Sequence, residues 1–313
     1  MGISIVNGGL LTTVQDAGRK GYQSSGFGVS GVMDQRSYQI ANMLLSNDPE
    51  EAVLEATVMG PEILFREDNL FAVTGGDFAS TLDGKPIDNY AVYLGHKGSV
   101  LKLSFAREGA RAYIAFAGGM DIPVVMGSRS TNLKCKIGGF QGRKLEAGDE
   151  IAFRAPVTEL PNMYKRYEKI REFSEKEITL RVVPGPQEDY FSEKGIHTFF
   201  NSTYRVGQES DRMGYRLEGE PIASKEGVDI ISDGIAFGSI QVPASGMPII
   251  MMADRQTTGG YAKIATVITT DLPKLAQSMP GTVIHFKQIT VEEAQKLRKK
   301  EIRMLKHLKH RVS

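Results

Sequence analysis

Short apolar runs separated by glycines dominate the hydrophobic pattern of this chain. Residues 247–252 are almost continuously apolar and residues 264–268 are rich in β-branched side chains, so both are expected to form buried strands. Glycine accounts for 34 of the 313 residues and follows no fixed period, which is typical of many turns between short strands. The pattern predicts a mainly β protein with short helices, built as a β-rich barrel.

Helical periodicity is confined to a few segments. Residues 35–45 carry an apolar helical face, and Asp34 stands where an N-cap is needed. Shorter helices are expected over residues 168–177 and after residue 271. Thr290 begins a capping box and opens a terminal helix that carries ten basic or histidine residues. Such a helix can bind nucleic acid or a partner, but its pattern favours a solvated face.

Polar side chains crowd around two glycines between the two predicted buried strands. Glycine lets the backbone turn sharply or approach a ligand closely. One interpretation is a hairpin whose polar groups bond one another, and the other is a ligand-facing loop; taken alone, the pattern favours the hairpin. The residues concerned are Asp254, Arg255, Gln256, Thr257, Thr258, Gly259, Gly260, Tyr261 and Lys263.

The first half of the chain contains a second concentration of glycine, over residues 8–34. A glycine-rich stretch of this length either lines a site or forms a mobile surface loop, and composition favours neither. Residues 127–132 add hydroxyls and the guanidinium of Arg129, which suit a carboxylate or a phosphate. Residues 204–219 contain three arginines, a pattern typical of a solvated face, although Arg212 and Arg216 also suit anions.

Composition narrows the class of protein. With 38 basic and 37 acidic residues, the net charge of +1 gives no reason to expect nucleic acid or an anionic membrane as a partner. The single cysteine, Cys135, excludes an intramolecular disulfide and is expected to be a small core residue. No stretch has the length of a membrane span or the features of a signal peptide, so we expect a cytoplasmic protein.

Length and charge distribution predict two domains. A chain of this length exceeds most single cores. The strand pattern stops in a charged stretch, which gives a first β subdomain over residues 1–155, a linker over 156–177, a second β subdomain over 178–289 and a basic helix over 290–313. No His, Cys and carboxylate cluster has metal-ligand spacing, and no phosphate loop, dinucleotide fingerprint or nucleophile elbow is present. His285 alternates within a predicted strand and is expected to be a partnered histidine.

Nine short motifs, taken together and in this order, resemble one family. The set resembles the biotin-dependent carboxyltransferase-like proteins, which include the C subunit of bacterial 5-oxoprolinase, the KipA antagonist of the Kip kinase inhibitor and part of urea carboxylase. The motifs are residues 11–19, 30–34, 41–42, 54–55, 60–61, 127–131, 214–219, 238–243 and 254–261.

The resemblance implies two cyclophilin-like β-barrel subdomains. It also implies that the protein acts as one subunit of a complex. The implied reaction is the ATP-dependent opening of 5-oxo-L-proline to L-glutamate, together with a B-type, KipI-like subunit and an A subunit, with ATP and Mg used by the complex. One alternative is a carboxyltransferase that acts on an amide or urea-type substrate, with carboxybiotin carried on another protein. The other is a non-enzymatic KipA-like regulator of a KipI-like partner.

Within that resemblance, charged groups are assigned to catalysis and loop residues to binding. Arg255 and Lys263 are expected to stabilise phosphate, and Asp34 and Asp254 to position water or metal, although no dedicated metal site is expected. The loop at 255–263 is expected to face residues 30–34. The predicted binding residues are Ser30, Gly31, Arg129, Gln256, Thr257, Thr258, Gly259, Gly260 and Tyr261.

Overall fold

The computed structural model describes residues 1–169, 176–225 and 227–313 and divides into two compact units. Unit 1 comprises Met1–Lys20, Ser30–Ser174 and Arg303–Ser313, and unit 2 comprises Gly21–Val29 and Glu175–Ile302. The units therefore interleave along the chain, whereas the sequence prediction made each domain continuous. Most of the helix predicted over residues 168–177 lies outside the described residues.

Unit 1 is built from eleven strands and one complete helix in its described part. A short 3-10 turn at Met163–Lys165 follows them. The elements are β1 (Gly2–Asn7), β2 (Leu11–Gln15), α1 (Gln35–Leu44), β3 (Val53–Thr57), β4 (Glu62–Phe65), β5 (Asn69–Asp77), β6 (Thr81–Leu82), β7 (Lys85–Pro86), β8 (Val92–Gly95), β9 (Val100–Lys102), β10 (Glu108–Phe116) and β11 (Glu150–Ala152).

The strands of unit 1 form two sheets, with orders β11-β1-β4-β9-β6-β7 and β2-β3-β10-β5-β8. β5 is buried along almost its whole length because its two faces enter different cores. Phe71 and Val73 join one apolar cluster, and the alternate residues Leu70 and Ala72 join the other, as the two-residue period of a strand requires. The first cluster contains an aromatic group in which Phe65 packs 5.3 Å from Phe71 between ring centroids.

The predicted helix at residues 35–45 is confirmed as α1. Asp34 caps it by accepting a hydrogen bond from the backbone N–H of Ser37 at 3.0 Å, and Tyr38, Ile40 and Leu44 bury its apolar face. The cap fixes where the glycine-rich stretch ends and the helix begins.

The described residues of unit 2 contain nine strands, with short 3-10 turns at Gln23–Ser25 and Glu188–Tyr190. The elements are β12 (Glu177–Pro184), α2 (Glu193–Asn201), β13 (Tyr204–Val206), β14 (Gly214–Glu218), β15 (Asp229–Gly234), β16 (Ser239–Gln241), β17 (Ile249–Met251), β18 (Thr258–Tyr261), β19 (Lys263–Val267), α3 (Leu272–Ala276), β20 (Val283–Gln288) and α4 (Val291–Val312), whose last turns belong to unit 1.

Seven strands of unit 2 close into a barrel in the order β12-β19-β16-β17-β14-β13-β20. A parallel pair between β20 and β12 completes the ring, and His285 of β20 bonds Glu177 of β12 at 2.8 Å, as expected of a partnered histidine. The mainly β fold predicted from the glycine-punctuated pattern is confirmed.

The hairpin interpretation of the 253–263 segment is wrong. The flanking strands β17 and β19 do not pair with each other, because each pairs with β16, which lies between them. The glycine-containing segment forms β18 instead and pairs with β15 in a separate two-stranded ribbon. β15 and β16 precede the segment along the chain, so the local pattern of the segment carries no information about this pairing.

Helix α4 has the predicted solvated face, and its opposite face packs against the protein. Leu305, Leu308 and Val312 pack into the apolar cluster that contains α1. The buried guanidinium of Arg166 donates to the carbonyl oxygen of Val312 at 2.7 Å. The capping box is confirmed, with reciprocal bonds between Thr290 and Glu293. The basic residues occupy the exposed side of the helix.

None of the helices in the described residues is long and apolar enough to cross a bilayer.

Candidate functional site: a cavity on the outer face of the barrel

An open cavity of about 450 Å³ lies on the outer face of the unit 2 barrel, and we call it the barrel cavity. Its floor comes from β14, β16 and β17, and the segment around β18 and the loop before β14 form its sides. The lining residues are Glu209, Asp211, Met213, Gly214, Arg216, Gln241, Pro243, Ile249, Met251, Gln256 and Tyr261.

Strand register brings the floor residues onto one face. Arg216 and Gln241 are each paired with Ile249, from the strands on either side of β17. Their sequence neighbours, such as Tyr215 and Ile250, are almost completely buried on the opposite face of the same strands. The three strands therefore present one guanidinium and one carboxamide on either side of an apolar residue.

Gly214 keeps the floor open. A Cβ at this position would come within 3.0 Å of Ile249 Cγ2 and would lie 3.7 Å from the sulfur of Met251. The turn before it is held by Asp211, whose carboxylate accepts the backbone N–H groups of Met213 at 2.8 Å and of Gly214 at 3.1 Å. Asp211 therefore shapes the rim of the cavity.

Two carboxamides face the barrel cavity with hydrogen-bonding capacity to spare. Gln241 is only 2% exposed, and its Nε2 donates to the carbonyl oxygen of Tyr261 at 3.3 Å, whereas its Oε1 accepts no bond from the described residues. Gln256 is exposed, and its side chain bonds none of the residues that the structure describes. Such groups can accept an N–H or donate to a carbonyl oxygen of a ligand.

Arg216 is the cation of the barrel cavity. Its side chain is 57% exposed, and its Nε lies 3.9 Å from a carboxylate oxygen of Glu209, which is itself 87% exposed. An ion pair at this distance and exposure contributes little free energy. The guanidinium is thus available to a carboxylate ligand, in the forked geometry that arginine favours.

Unit 1 contains a polar cluster that is buried, unlike the open barrel cavity. It is centred on the carboxylate of Asp16. Asp16 Oδ1 accepts the hydroxyls of Ser128 at 2.7 Å and Ser130 at 2.5 Å and the N–H of Gly18 at 2.8 Å. Asp16 Oδ2 accepts the N–H of Arg129 at 2.5 Å. These residues, with the buried Arg19, Ser30, Gly31 and Asn132 beside them, form what we call the Asp16 cluster.

The end of the glycine-rich stretch, at Ser30 and Gly31, packs tightly into the Asp16 cluster. Gly31 has φ +88°, and a Cβ there would come within 3.0 Å of the backbone of Gly18. Ser30, also at positive φ, accepts a bond from the side-chain amide of Asn132 at 3.1 Å. The stretch from Ser30 is consequently a fitted part of a buried polar core and not a mobile surface loop.

The surroundings of Asp34 explain its burial without a catalytic role. Besides the Ser37 N–H, its carboxylate accepts the Ser37 hydroxyl at 2.6 Å, and its own backbone N–H donates to the hydroxyl of Tyr113 at 2.8 Å. Burial raises the pKa of Tyr113 well above its usual value, and the nearby carboxylates of Glu55 and Asp34 raise it further. Tyr113 therefore stays a neutral hydrogen-bond partner, and water positioning by Asp34 stays a prediction.

The three charged residues predicted for catalysis in unit 2 all bond to protein groups. Asp254 accepts two bonds from the guanidinium of Arg212, at 2.9 and 3.2 Å. Lys263, with a side chain only 3% exposed, donates to Asp233 at 2.6 Å, and this bond lowers the pKa of the Asp233 carboxyl. Arg255 has its own set of partners.

The guanidinium of Arg255 is directed at backbone carbonyls. Its Nε donates to Ile235 O at 2.9 Å and its Nη1 to Met252 O at 3.2 Å, and it stacks over the ring of Phe237 at 5.5 Å. Desolvation by burial lowers its pKa. These contacts tie Arg255 to the backbone at Ile235 and Met252, and a direct role for Arg255 at phosphate stays a prediction.

The chain matches the family model for the carboxyltransferase domain, subdomain A and B, over residues 25–288. It belongs to this carboxyltransferase-domain family. Among curated proteins it is 38% identical to the C subunit of 5-oxoprolinase from Escherichia coli (strain K12), over 99% of this chain and 98% of that protein. It is 37% identical to the corresponding 5-oxoprolinase protein of Haemophilus influenzae, over 92% of this chain and 91% of that protein.

Among solved structures, the chain superposes on the K. lactis urea amidolyase with a TM-score of 0.90 and 28% sequence identity. The match covers 98% of this chain but only 20% of the urea amidolyase chain. The carboxyltransferase-domain fold thus occurs both at the length of this chain and as a fraction of a much longer protein.

Six of the nine motifs that carried the family resemblance gather in two places. Residues 214–219, 238–243 and 254–261 all contribute side chains to the barrel cavity. Residues 11–19, 30–34 and 127–131 all contribute to the Asp16 cluster. In this carboxyltransferase-domain protein, the motifs of the barrel cavity surround an open space. The motifs of the Asp16 cluster fill a buried polar core.

The predicted binding residues divide between these two places. Ser30, Gly31 and Arg129 belong to unit 1, where the Arg129 guanidinium donates through Nε to Ile122 O at 3.0 Å. Gln256 and Tyr261 line the barrel cavity. The rest, which sit in or beside β18 but are not among the cavity-lining residues, are Thr257, Thr258, Gly259 and Gly260.

Sequence reasoning missed Gln241, and it favoured a solvated face for Arg216 while leaving an anion-binding role open. The sequence did offer a sign of Gln241, because it is the one carboxamide in the short strand β16, which lies within a family motif. Cys135 was expected in the core but is exposed, because it lies in a turn where Asn132 accepts its backbone N–H. No cluster of metal-ligating side chains occurs among the residues that the structure describes.

Proposed function

We propose that this protein is the C-type subunit of an ATP-dependent 5-oxoprolinase, which converts 5-oxo-L-proline to L-glutamate together with separate A and B subunits. The observation that carries the proposal is the match to the C subunit of 5-oxoprolinase over 99% of this chain and 98% of that protein, at 38% identity. A match of that extent leaves almost no part of either chain unaccounted for. We place the complex in the cytoplasm and its B subunit in the KipI-like class.

The barrel cavity is the place in this chain that suits a small amide. A lactam presents one N–H donor and one carbonyl acceptor, and the two carboxamides that face the cavity can bond both. Ile249 and Met251 provide an apolar floor for a ring. In this proposal the chain binds and orients the lactam.

We assign the ATP site of the complex to the other subunits. The two cations predicted to stabilise phosphate do not fit a nucleotide well, because Lys263 is paired with Asp233 and Arg255 donates to backbone carbonyls. Neither cation is free to hold phosphate in this arrangement. We therefore derive no phosphate-transfer step on this chain.

A second candidate function is carboxyl transfer from carboxybiotin on another protein to an amide nitrogen. The observation in its favour is the likeness to the urea amidolyase structure over 98% of this chain. The carboxamides of the barrel cavity suit a urea-type amide as well as a lactam. The two candidates differ in the partner proteins and in the cosubstrate.

Reconstitution tests the proposal. The chain is combined with its A and B subunits, and L-glutamate formed from 5-oxo-L-proline is measured with and without ATP, with each subunit omitted in turn. We expect glutamate only when all three subunits and ATP are present.

Three outcomes contradict this expectation in distinguishable ways. ATP-independent turnover by the isolated chain would remove the need for a complex. Carboxylation of urea or another amide in the presence of carboxybiotin and without the A subunit would favour the second candidate. Tight binding of a KipI-like protein with no turnover of either kind would indicate a non-enzymatic regulator.

A further inference from the structure

We infer that the barrel cavity recognises a small cyclic amide that also carries a carboxylate, with Arg216 binding the carboxylate and Gln241 accepting the amide N–H. This inference rests on the proposed function for the identity of the ligand, and it assigns that ligand's two polar ends to two side chains. Neither residue was among those predicted from the sequence to bind substrate.

The first support is the electrostatics of Arg216. Its guanidinium lies on the floor of an open cavity, and Glu209 is its single charged contact among the described residues, at 3.9 Å. Other arginines of unit 2 are engaged much more closely, for example Arg212 with two bonds to Asp254 and Arg181 with Asp271. Arg216 is therefore the cavity cation with the greatest capacity for an incoming carboxylate.

The second support is the state of Gln241. Its carboxamide is almost inaccessible, its nitrogen is committed to Tyr261 O, and its oxygen accepts nothing from the described residues. The oxygen is not among the fully buried unpartnered atoms, so it is reached from the cavity and can accept a ligand N–H. The bond to Tyr261 O orients the carboxamide so that its oxygen is the atom left for a ligand.

The third support is the spacing set by the barrel. Arg216 and Gln241 are both in register with Ile249, so their Cα atoms are separated by two strand spacings, roughly 10 Å. Both side chains are long enough to approach a small molecule that rests on Ile249. A five-membered lactam with a carboxylate beside its N–H presents the two groups that this pair needs.

Glu209 makes the arrangement selective and testable. Its carboxylate is the group that a ligand carboxylate would displace from Arg216. Neutralising Glu209 should therefore tighten the binding of an anionic lactam and leave a neutral lactam unaffected. A cavity that bound a neutral amide alone would not respond in this way.

Calorimetry on the complex of this chain with its B-type subunit, without nucleotide, tests the inference. The probes are 5-oxo-L-proline and 2-pyrrolidinone, the same ring without the carboxylate, the second measured by competition. We expect Arg216→Gln to weaken binding of 5-oxo-L-proline at least tenfold and to leave 2-pyrrolidinone within twofold. Glu209→Gln should tighten binding of 5-oxo-L-proline about two- to threefold.

Arg205→Gln is the matched control, because Arg205 is an exposed arginine on the neighbouring strand β13 and does not line the cavity. It should leave both affinities within twofold. The inference is overturned if Arg216→Gln has no more effect than Arg205→Gln, if the two lactams bind equally well, or if neither binds.

The site and the proposed function fail separately. If Arg216→Gln abolishes binding but the full complex makes no glutamate with ATP, the site assignment stands and the oxoprolinase function does not. If Arg216→Gln retains wild-type kcat/KM in an active complex, the function stands and this site is wrong.

Discussion

The Asp16 cluster and the barrel cavity are built from the same kinds of residue. They differ in whether their polar groups have hydrogen-bond partners within the protein. Both combine glycines, amides, arginines and carboxylates drawn largely from family motifs. In the Asp16 cluster a buried carboxylate accepts four bonds from neighbouring protein groups. In the barrel cavity, Gln241 Oε1 and the Gln256 side chain receive none from the described residues. Residue type thus identifies polar motifs, and the hydrogen bonds that the structure shows separate the motif group that fills a core from the group that we propose binds a ligand.

The largest effect that tests this contrast is expected at Asp16. Asp16→Ala removes the acceptor of two hydroxyls and two backbone N–H groups, and at about 1 kcal/mol or more for each donor left unsatisfied, the loss exceeds roughly 3 kcal/mol. Urea unfolding followed by far-UV circular dichroism measures it. Asp121→Ala, at an exposed aspartate of the same unit, should change the free energy of unfolding by less than about 0.5 kcal/mol. Equal effects at the two positions would show that the cluster is not a structural core.

The next effect concerns Gly31, which the sequence placed in a binding site. Gly31→Ala forces a Cβ against the backbone of Gly18 at a φ of +88°, so we expect a loss of about 1–3 kcal/mol of stability. Gly98→Ala is the control, since Gly98 has φ +95° and open space around it. It should cost less, and the difference measures the contact with Gly18. A stable Gly31→Ala protein with weakened ligand affinity would restore Gly31 to a binding role.

A change at Gln241 should lower ligand affinity more than it lowers the stability of the fold. Gln241→Leu removes the carboxamide oxygen that we assign to the ligand N–H, and a tenfold rise in the Kd for 5-oxo-L-proline corresponds to about 1.4 kcal/mol. Stability should fall by no more than about 1.5 kcal/mol, the value of its single bond to Tyr261 O. Gln288→Leu, at an exposed glutamine of β20, is the control. Unchanged affinity in Gln241→Leu would move the amide contact elsewhere.

The smallest effect is a pH response at Lys263. The Lys263 ammonium, with the Gly234 N–H and Gln187 behind it, lowers the pKa of Asp233, so this pair stabilises the fold above the unfolded carboxyl pKa of about 3.9. That contribution is lost as the pH falls through the lower, folded pKa. In Lys263→Met the pKa of Asp233 should rise, and NMR titration of its carboxyl carbon measures this. Lys287→Met should leave the titration in place; an unmoved Asp233 in both variants would show that the pair does not form in solution.

Features formed by residues close together in the sequence were predicted correctly. The N-cap at Asp34 and the capping box at Thr290 depend on groups three residues apart, and both are present. The partner of Lys263 is 30 residues away and that of Asp254 is 42 residues away, so no motif could show that these charges were already paired. The insertion of β16 between β17 and β19 is likewise a property of the closed barrel.

The position of the candidate site in the chain was partly predictable from the sequence, and its full set of side chains was not. Gln256 and Tyr261 were found because they lie in one dense polar motif, and they do line the barrel cavity. Gln241 and Arg216 come from two other motifs, and only strand register places them on either side of Ile249. A lone carboxamide in a family motif was the one signal that single-sequence reasoning left unused.

The interleaving of the two units along the chain affects the order in which they can finish folding during translation. The apolar cluster around α1 includes Leu305, Leu308 and Val312, so it stays incomplete while a ribosome is still translating unit 2. Nascent chains usually complete their domains from the N-terminal side. Here the unit that begins the chain cannot be finished until α4, which follows every barrel strand, supplies the missing side chains.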